Sequence, residues 1–184
     1  VKRLPVGTYR AQQRGGRGLR GMETKEKDGV EHLYVASTHD DLMIFTRQGQ
    51  CYWIKVWEIP VGSRISRGKP IVNLLNLQGD EQVAAVVPVR DFADDRFLIF
   101  GTRQGVVKKT ALSAYGNIRS VGLNAINVAE GDELIDVRIT SGDDEILIAS
   151  RKGMAIRFRE EDVRAMGRAT GGVRGLRLRK GDEV

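Results

Sequence analysis

The consecutive residues Gln12, Gln13, Arg14, Gly15, Gly16, Arg17 and Gly18 combine side chains and spacing suited to holding an anion. Glycine has no side-chain bulk and enters φ > 0 freely, so three glycines let backbone N–H groups approach a charged oxygen closely. The guanidinium groups of Arg14 and Arg17 flank the Gly pair and can fork onto phosphate oxygens. Residues 1–21 carry six cations (Lys2, Arg3, Arg10, Arg14, Arg17 and Arg20) and no Asp or Glu. The chemistry that fits is a grip on phosphate. A Gly-Gly pair in a basic loop is also an ordinary surface turn, and the heptapeptide alone leaves both readings open.

Other groups suit catalysis or metal binding less well. Asp40 with Asp41, Asp94 with Asp95 and Asp143 with Asp144 pair carboxylates, but they recur at one position of a repeat, which favours a turn role over a metal site. His32 and His39 have no Cys or second His at ligand spacing, so no metal site is expected. The segment 101–108 has only a superficial likeness to a nucleotide-binding phosphate loop, and it recurs as a hairpin. Cys51 lies in an apolar and aromatic run that reads as core. Trp53 and Trp57 alternate with it on one face, so packing is expected rather than base stacking.

The elements that must position these residues repeat. Segments 40–55, 94–109 and 143–157 each read as an acidic turn, an apolar strand, a hairpin turn with Gly49, Gly105 or Gly153, and a second strand bearing cations. The three glycines lie 56 and 48 residues apart. Val1, Lys2 and Arg3 followed by Tyr9 echo Val107, Lys108 and Lys109 followed by Tyr115. The chain therefore opens in the second half of an earlier repeat and reads as a fragment. A period of this length with short β units predicts an all-β, propeller-like array with one sheet per repeat. The runs 42–45, 97–100 and 145–149 suit buried strands, and 83–89 and 134–139 supply a further strand before each acidic turn. One helical turn is expected over 160–166, with Glu160, Glu161 and Asp162 at its N-terminal end.

Composition bounds the reading further. With 41% hydrophobic residues the chain is not disordered. No stretch approaches the ~20 apolar residues of a membrane span, no signal peptide is visible, and no membrane partner is expected. Cys51 is the single cysteine, which excludes a disulfide framework and points to a reducing compartment. A net charge of +6 and a pI near 9.7 point to a polyanionic partner. Windows 1–21, 47–69, 103–120 and 151–180, the second half of each unit, hold 25 of the 30 Lys and Arg but 4 of the 24 acids. Edge-strand protection by Lys and Arg explains some of these cations but not the scarcity of acids beside them. The alternative is a continuous basic rim that holds duplex DNA by its phosphates and curvature.

At this point the residues resemble a known family. Gln12 to Gly18 resemble the gyrase box in the C-terminal domain of the DNA gyrase A subunit, whose pattern is Gln, a basic residue, Arg, Gly, Gly, a basic residue, Gly. Segments 33–39, 52–57, 69–75, 105–110, 131–135, 163–167 and 172–175 are also similar to that family, so the likeness covers essentially the whole chain. The second box position is Gln13 where the family has Arg or Lys, which removes one charge from the grip.

The resemblance implies a β-pinwheel, a ring of four-stranded blades that exchange strands, of which this chain holds about three to four. Its expected parts are 1–21 (the end of blade 1, with the box), 22–75 (blade 2), 76–127 (blade 3) and 128–184 (blade 4, incomplete). The resemblance further implies that double-stranded DNA bends around the rim with a positive crossing, so that an assembly of two A and two B subunits introduces negative supercoils. In that holoenzyme ATP and Mg2+ serve other regions; no cofactor and no catalytic residue is expected here, and Tyr9, Tyr34, Tyr52 and Tyr115 are not the DNA-cleaving tyrosine. A bacterial cytoplasmic, chromosome-associated location is implied too. Expected DNA contacts are the box and, along the rim, Lys2, Arg3, Arg10, Lys55, Arg64, Arg67, Lys69, Lys108, Lys109, Arg119, Arg157, Arg168 and Arg174. The rivals are the similar domain in the A subunit of topoisomerase IV, which lacks an intact box, and a propeller serving as a protein-interaction scaffold.

Overall fold

Three hairpins organise the computed structural model, which describes residues 1–26, 29–30, 32–93, 95–116 and 122–184. They are β1 (Asp41–Thr46) with β2 (Gln50–Lys55), β4 (Phe97–Thr102) with β5 (Val106–Ala111), and β8 (Glu145–Ala149) with β9 (Ala155–Arg159). Each turn is closed by the same local chemistry. Gly49, Gly105 and Gly153 sit at φ of 88°, 79° and 83°, where a residue with a Cβ would be strained. Their N–H groups return to the carbonyls of Thr46, Thr102 and Ser150 at 2.9, 3.0 and 3.0 Å. The hydroxyls of those same residues accept the N–H of Gln50, Val106 and Met154, each at 3.1 Å. The acidic turns act as expected where they are described: Asp40 and Asp144 accept the N–H of Ser37 and Ser141 at 2.8 and 2.7 Å. Asp94 lies outside the described residues.

Neither four-stranded sheet is made from one stretch of chain. The first has the order β3-β1-β2-β6, with β3 at Val83–Val89 and β6 at Leu123–Asn124. The second has the order β10-β5-β4-β7, with β7 at Leu134–Thr140 and β10 at Val173–Arg174. A hairpin from one repeat is thus flanked on both sides by strands from the sequence that follows it. This is the strand exchange of a pinwheel. The strand over 83–89, which precedes the acidic turn at 94–95 in sequence, completes the sheet of the preceding hairpin.

The sheets stack face to face. Along β1, Met43 and Phe45 point to one face while Leu42 and Ile44 point to the other, and all four are buried. Met43, Phe45, Cys51, Val87 and Val89 meet Leu98, Phe100, Leu134 and Val137 of the second sheet, with Phe45 and Phe100 edge to face at 5.5 Å between centroids. Leu42, Ile44, Tyr52 and Ile54 build a second core on the far side of the first sheet, with Leu75. Ile99 and Val107 build a third against Ile146, Ile148 and Phe158 of the β8–β9 hairpin. Burial on both faces explains why the central strands read as continuous apolar runs. Trp53 stacks on Phe92 at 4.5 Å, but Trp57 lies beyond the end of β2 in a 3-10 turn and is 56% exposed. The expectation that both tryptophans pack therefore holds for Trp53 only.

The helical turn expected over 160–166 is a 3-10 turn at Glu160–Asp162. Glu160 does more there than favour a helix terminus. Its buried carboxylate accepts the N–H of Gly142 and Asp144 at 2.7 and 3.0 Å and the Thr140 hydroxyl at 2.8 Å, and it pairs with Lys109 at 3.1 Å. Burial alone would raise its pKa, but these donors together hold it below the usual carboxylate range. A depressed folded-state pKa contributes stability above the ordinary value of about 4.3, and that stability is lost as pH falls through the folded value. Glu160→Gln, which leaves Lys109 without its anion, is expected to lower the urea midpoint at neutral pH by the equivalent of roughly 3 kcal/mol. It should also flatten the loss of stability on acidification seen in the parent chain.

Candidate nucleic-acid interface

The box is an open loop. Gly16 N–H returns to the Gln13 carbonyl at 2.9 Å, which closes a turn around Arg14 and Gly15. Gly15 and Gly18 occupy φ of 82° and 70°. Residues 11–20 are all exposed, and neither Arg14 nor Arg17 has an ion pair or hydrogen-bond partner among the described residues. Gln12 turns back, donating to the Arg10 carbonyl at 3.4 Å. The two guanidinium groups are free to meet an anion from solvent, as the spacing suggests.

The same loop recurs one repeat later, and this recurrence is absent from the expectations above. Arg14, Arg17 and Gly18 match Arg64, Arg67 and Gly68, and Arg168 with Gly172 keeps the first and last positions. Gly68 and Gly172 share the positive φ of Gly18, at 77° and 85° against 70°. Ser66 N–H and Thr170 N–H close the two later loops onto the carbonyls of Ser63 and Arg168 at 3.2 and 2.9 Å. The spacing Arg-x-x-Arg-Gly, present at 14–18 and 64–68, is the sequence signal that would have found it.

Each later loop is seated on a basic segment of an earlier repeat, residues 1–3 in one case and β5 in the other. Arg3 bridges Val61 and Lys109 bridges Ala165, both in parallel register. A Cβ on Gly68 would lie 2.6 Å from the Val1 carbonyl oxygen, and one on Gly172 would lie 2.5 Å from that of Val107. Gly122 stands in the same way against the Tyr52 ring, at 2.7 Å.

Several cations expected on the rim are engaged elsewhere. Lys108 and Lys109 are 0% and 6% exposed and point inward, so no phosphate reaches them. Lys108 donates to the carbonyls of Ala125, at 2.6 Å, and of Arg168. Burial, and then the nearby Arg168 charge, push its pKa down to about 8. Lys109 lies over the Phe97 ring at 4.4 Å and pairs with Glu160. Lys2 is half-buried among carbonyls, and Arg3 donates to those of Ile59 and Trp57 at 3.1 and 3.2 Å. Lys55 pairs with Asp41 at 2.7 Å, Arg157 with Glu145 at 3.4 Å and Arg67, loosely, with Glu23 at 3.9 Å.

The scarcity of acids beside the basic half-units is a property of the sequence windows more than of space. Arg47 and Arg103 both meet Glu133 at 3.5 Å, and Arg151 meets Glu183 at 2.8 Å. Arg10, Lys69 and Arg174 remain exposed without an acidic partner among the described residues, as does Arg20. Arg64 is half-buried and donates to the Arg20 carbonyl at 2.8 Å, and Arg168 is half-buried. Arg119 lies outside the described residues. Among the described residues no cluster of three or more His, Cys, Asp or Glu converges as metal ligands would.

Exchanged β blades that carry a recurring arginine-glycine loop define a propeller-like class of domain. The family described as "DNA gyrase C-terminal domain, beta-propeller" matches residues 1–37, 40–90, 96–141 and 144–184, and the chain belongs to it. It is 49% identical to the DNA gyrase A subunit of Halalkalibacterium halodurans over 176 residues, 96% of this chain and 21% of that protein. It is also 49% identical to the Staphylococcus aureus relative over 185 residues, 100% of this chain and 21% of that one. The chain thus spans about a fifth of the relatives it matches. Among solved structures, a DNA gyrase A C-terminal domain superposes with a TM-score of 0.73 at 28% identity, covering 99% of this chain and 58% of that one. The C-terminal domain of a DNA topoisomerase IV superposes with a TM-score of 0.72 at 34% identity, covering 79% and 46%.

The seating of the loops makes a direct prediction. Gly172→Ala combines a positive φ with a backbone clash against Val107, and the expected cost is at least ~2 kcal/mol. Chemical unfolding followed by the fluorescence of Trp53, which stacks on Phe92 beside the first core, measures it; Gly131→Ala, at an open positive-φ turn, should cost less.

Proposed function

We propose that this chain binds duplex DNA and bends it around the edge of the blade array, as the wrapping domain of a gyrase A subunit. The observation that carries the reading is the recurrence of the box geometry at Arg64 to Gly68 and in part at Arg168 to Gly172, which supports phosphate binding at more than one repeat rather than at one point. Arg14 and Arg17, with the N–H groups of Gly15, Gly16 and Gly18, form the most open of these sites. Arg10, Arg20, Arg64, Lys69, Arg168 and Arg174 extend it. A surface of this kind grips phosphates regardless of base sequence, and its affinity falls steeply with salt as counterions are released.

The remainder of the reading concerns the longer protein. Within two A and two B subunits in the bacterial cytoplasm, the wrapped segment would be handed to a catalytic core that uses ATP and Mg2+ and breaks the duplex with residues outside this chain. This domain itself would use no cofactor. The box at Gln12 to Gly18, which departs from the family pattern only at Gln13, and the identity to gyrase A subunits favour gyrase over topoisomerase IV, although the two folds superpose about equally well.

Ligation of nicked circular DNA in the presence of the chain, and of the intact A subunit, tests this reading. The expected result is a shift of the topoisomer distribution to one sign of linking difference. For Arg14→Ala with Arg17→Ala the shift should largely vanish, and the log-log salt slope of binding should drop by about 2. In the holoenzyme the same pair should abolish supercoiling while sparing cleavage and relaxation. An unchanged distribution at saturating protein, or affinity indifferent to salt, would favour the scaffold reading.

A further inference from the structure

Two lysines at equivalent positions direct their charge at carbonyl oxygens. Lys2 Nζ lies 2.9, 3.0, 2.7 and 2.8 Å from the carbonyl oxygens of Gly21, Ser63, Arg64 and Ser66. Lys108 Nζ donates to the carbonyls of Ala125 and Arg168. The surroundings repeat as well: Tyr9 donates to the Gly21 carbonyl and Tyr115 to that of Ala125, at 3.3 and 3.0 Å. No carboxylate pairs with either ammonium among the described residues. A buried cation without a counter-ion is costly, and an apolar side chain of the same length would fill Lys108's site with a smaller desolvation penalty.

What the ammonium groups do is turn a loop. In a planar trans peptide the carbonyl and the following N–H point in opposite directions. Drawing the carbonyls of Ser63, Arg64 and Ser66 inward therefore turns the N–H groups of Arg64, Ile65 and Arg67 away from Lys2. Drawing in the Arg168 carbonyl does the same for Ala169 N–H. None of these four N–H groups has a partner among the described residues. They lie in the two loops that share the box's positive-φ glycine, beside Arg64, Arg67 and Arg168. Outward N–H groups flanked by guanidinium groups form an anion-binding concavity.

We propose that Lys2 and Lys108 are positioning residues for DNA binding: each reaches across from the basic segment of one repeat and holds the next repeat's arginine loop with its carbonyls in and its N–H groups out, toward a phosphate. The inference rests on the DNA-binding reading above. It makes phosphate affinity depend on the contact between repeats, so that a loop is competent when it is seated on its neighbour.

The test measures binding of a labelled duplex by anisotropy at fixed salt, in this chain and in the longer A subunit, for the parent, Lys108→Met and Lys2→Met. Each variant should fold, by circular dichroism and thermal melting, and bind roughly tenfold more weakly, the loss of one charge-assisted phosphate contact. A pH series separates positioning from packing. Lys108 loses its proton near pH 8. The charged and titratable groups around it are Arg168 from the seated loop and Tyr115 from the 3-10 turn at Leu112–Tyr115, which shares the Ala125 carbonyl; Cys51 from β2 lies near Tyr115. Burial pushes the Tyr115 hydroxyl up and the Cys51 thiol up to about 12.

Parent affinity should therefore fall across the interval around pH 8. Fold stability should not fall with it, because a lysine whose folded pKa is depressed destabilises less once neutral. Lys108→Met should lack that fall. If Lys108→Met does not fold, Lys2→Met at the half-buried site and the parent's pH series decide. Folded variants with parental affinity and an unchanged pH profile would overturn the positioning role while leaving DNA binding intact. A parent chain with no affinity for the duplex would overturn the DNA-binding reading itself.

Discussion

The first two hairpins of this fold each leave an open hydrogen-bonding edge that a later part of the chain covers. The two-residue strand β6 pairs with β2 through Gln50 and Cys51, and β10 pairs with β5 through Val106 and Val107. An unpaired edge exposes a row of N–H and C=O groups, so covering it satisfies the backbone and removes a site for unwanted pairing. The loop ending at Gly172 runs directly into β10. Closing a sheet and seating a basic loop are one event.

The distribution of charge follows from that event. Cations on the outer strands divide by the direction the strand imposes. Those turned inward hold carbonyls or Glu160, while in the loops Arg14 and Arg17 stay in solvent and Arg64 and Arg168 are half-buried. Lys108 and Lys109, adjacent in β5, show both inward solutions: one ammonium is held by carbonyls, the other by a carboxylate and a ring face. The tips carry arginine, whose charge survives any accessible pH and whose planar fork matches a phosphate. In the proposed reading phosphate affinity resides in the loops, and the lysines beneath them contribute geometry.

Much of this was legible in the residues. The hairpins announced themselves because Thr-Arg-Gln-Gly occurs at both 46–49 and 102–105, and the echo of Lys2 and Tyr9 in Lys108 and Tyr115 marks a real structural equivalence. Strand donation was not legible from periodicity: two residues such as Leu123 and Asn124 carry no pattern, and only the family resemblance implied the exchange. The inward turn of Lys108 was hidden for a different reason. A lysine in a strand has the same sequence signature whether it guards an exposed edge or fills a core, and its carbonyl partners at Ala125 and Arg168 lie 17 and 60 residues away. Trp57 was misplaced because the alternation was carried past Lys55, where β2 ends.

The central claim is that successive seated loops hold one continuous, curved duplex. Hydroxyl-radical footprinting of DNA bound to the intact A subunit tests it most directly, because a duplex lying along a protein surface shields its backbone once per helical turn. The account predicts protection recurring about every 10 base pairs over several turns, as for DNA held by its backbone on a curved protein surface. A single short protected patch, or uniform protection without a helical period, would contradict it.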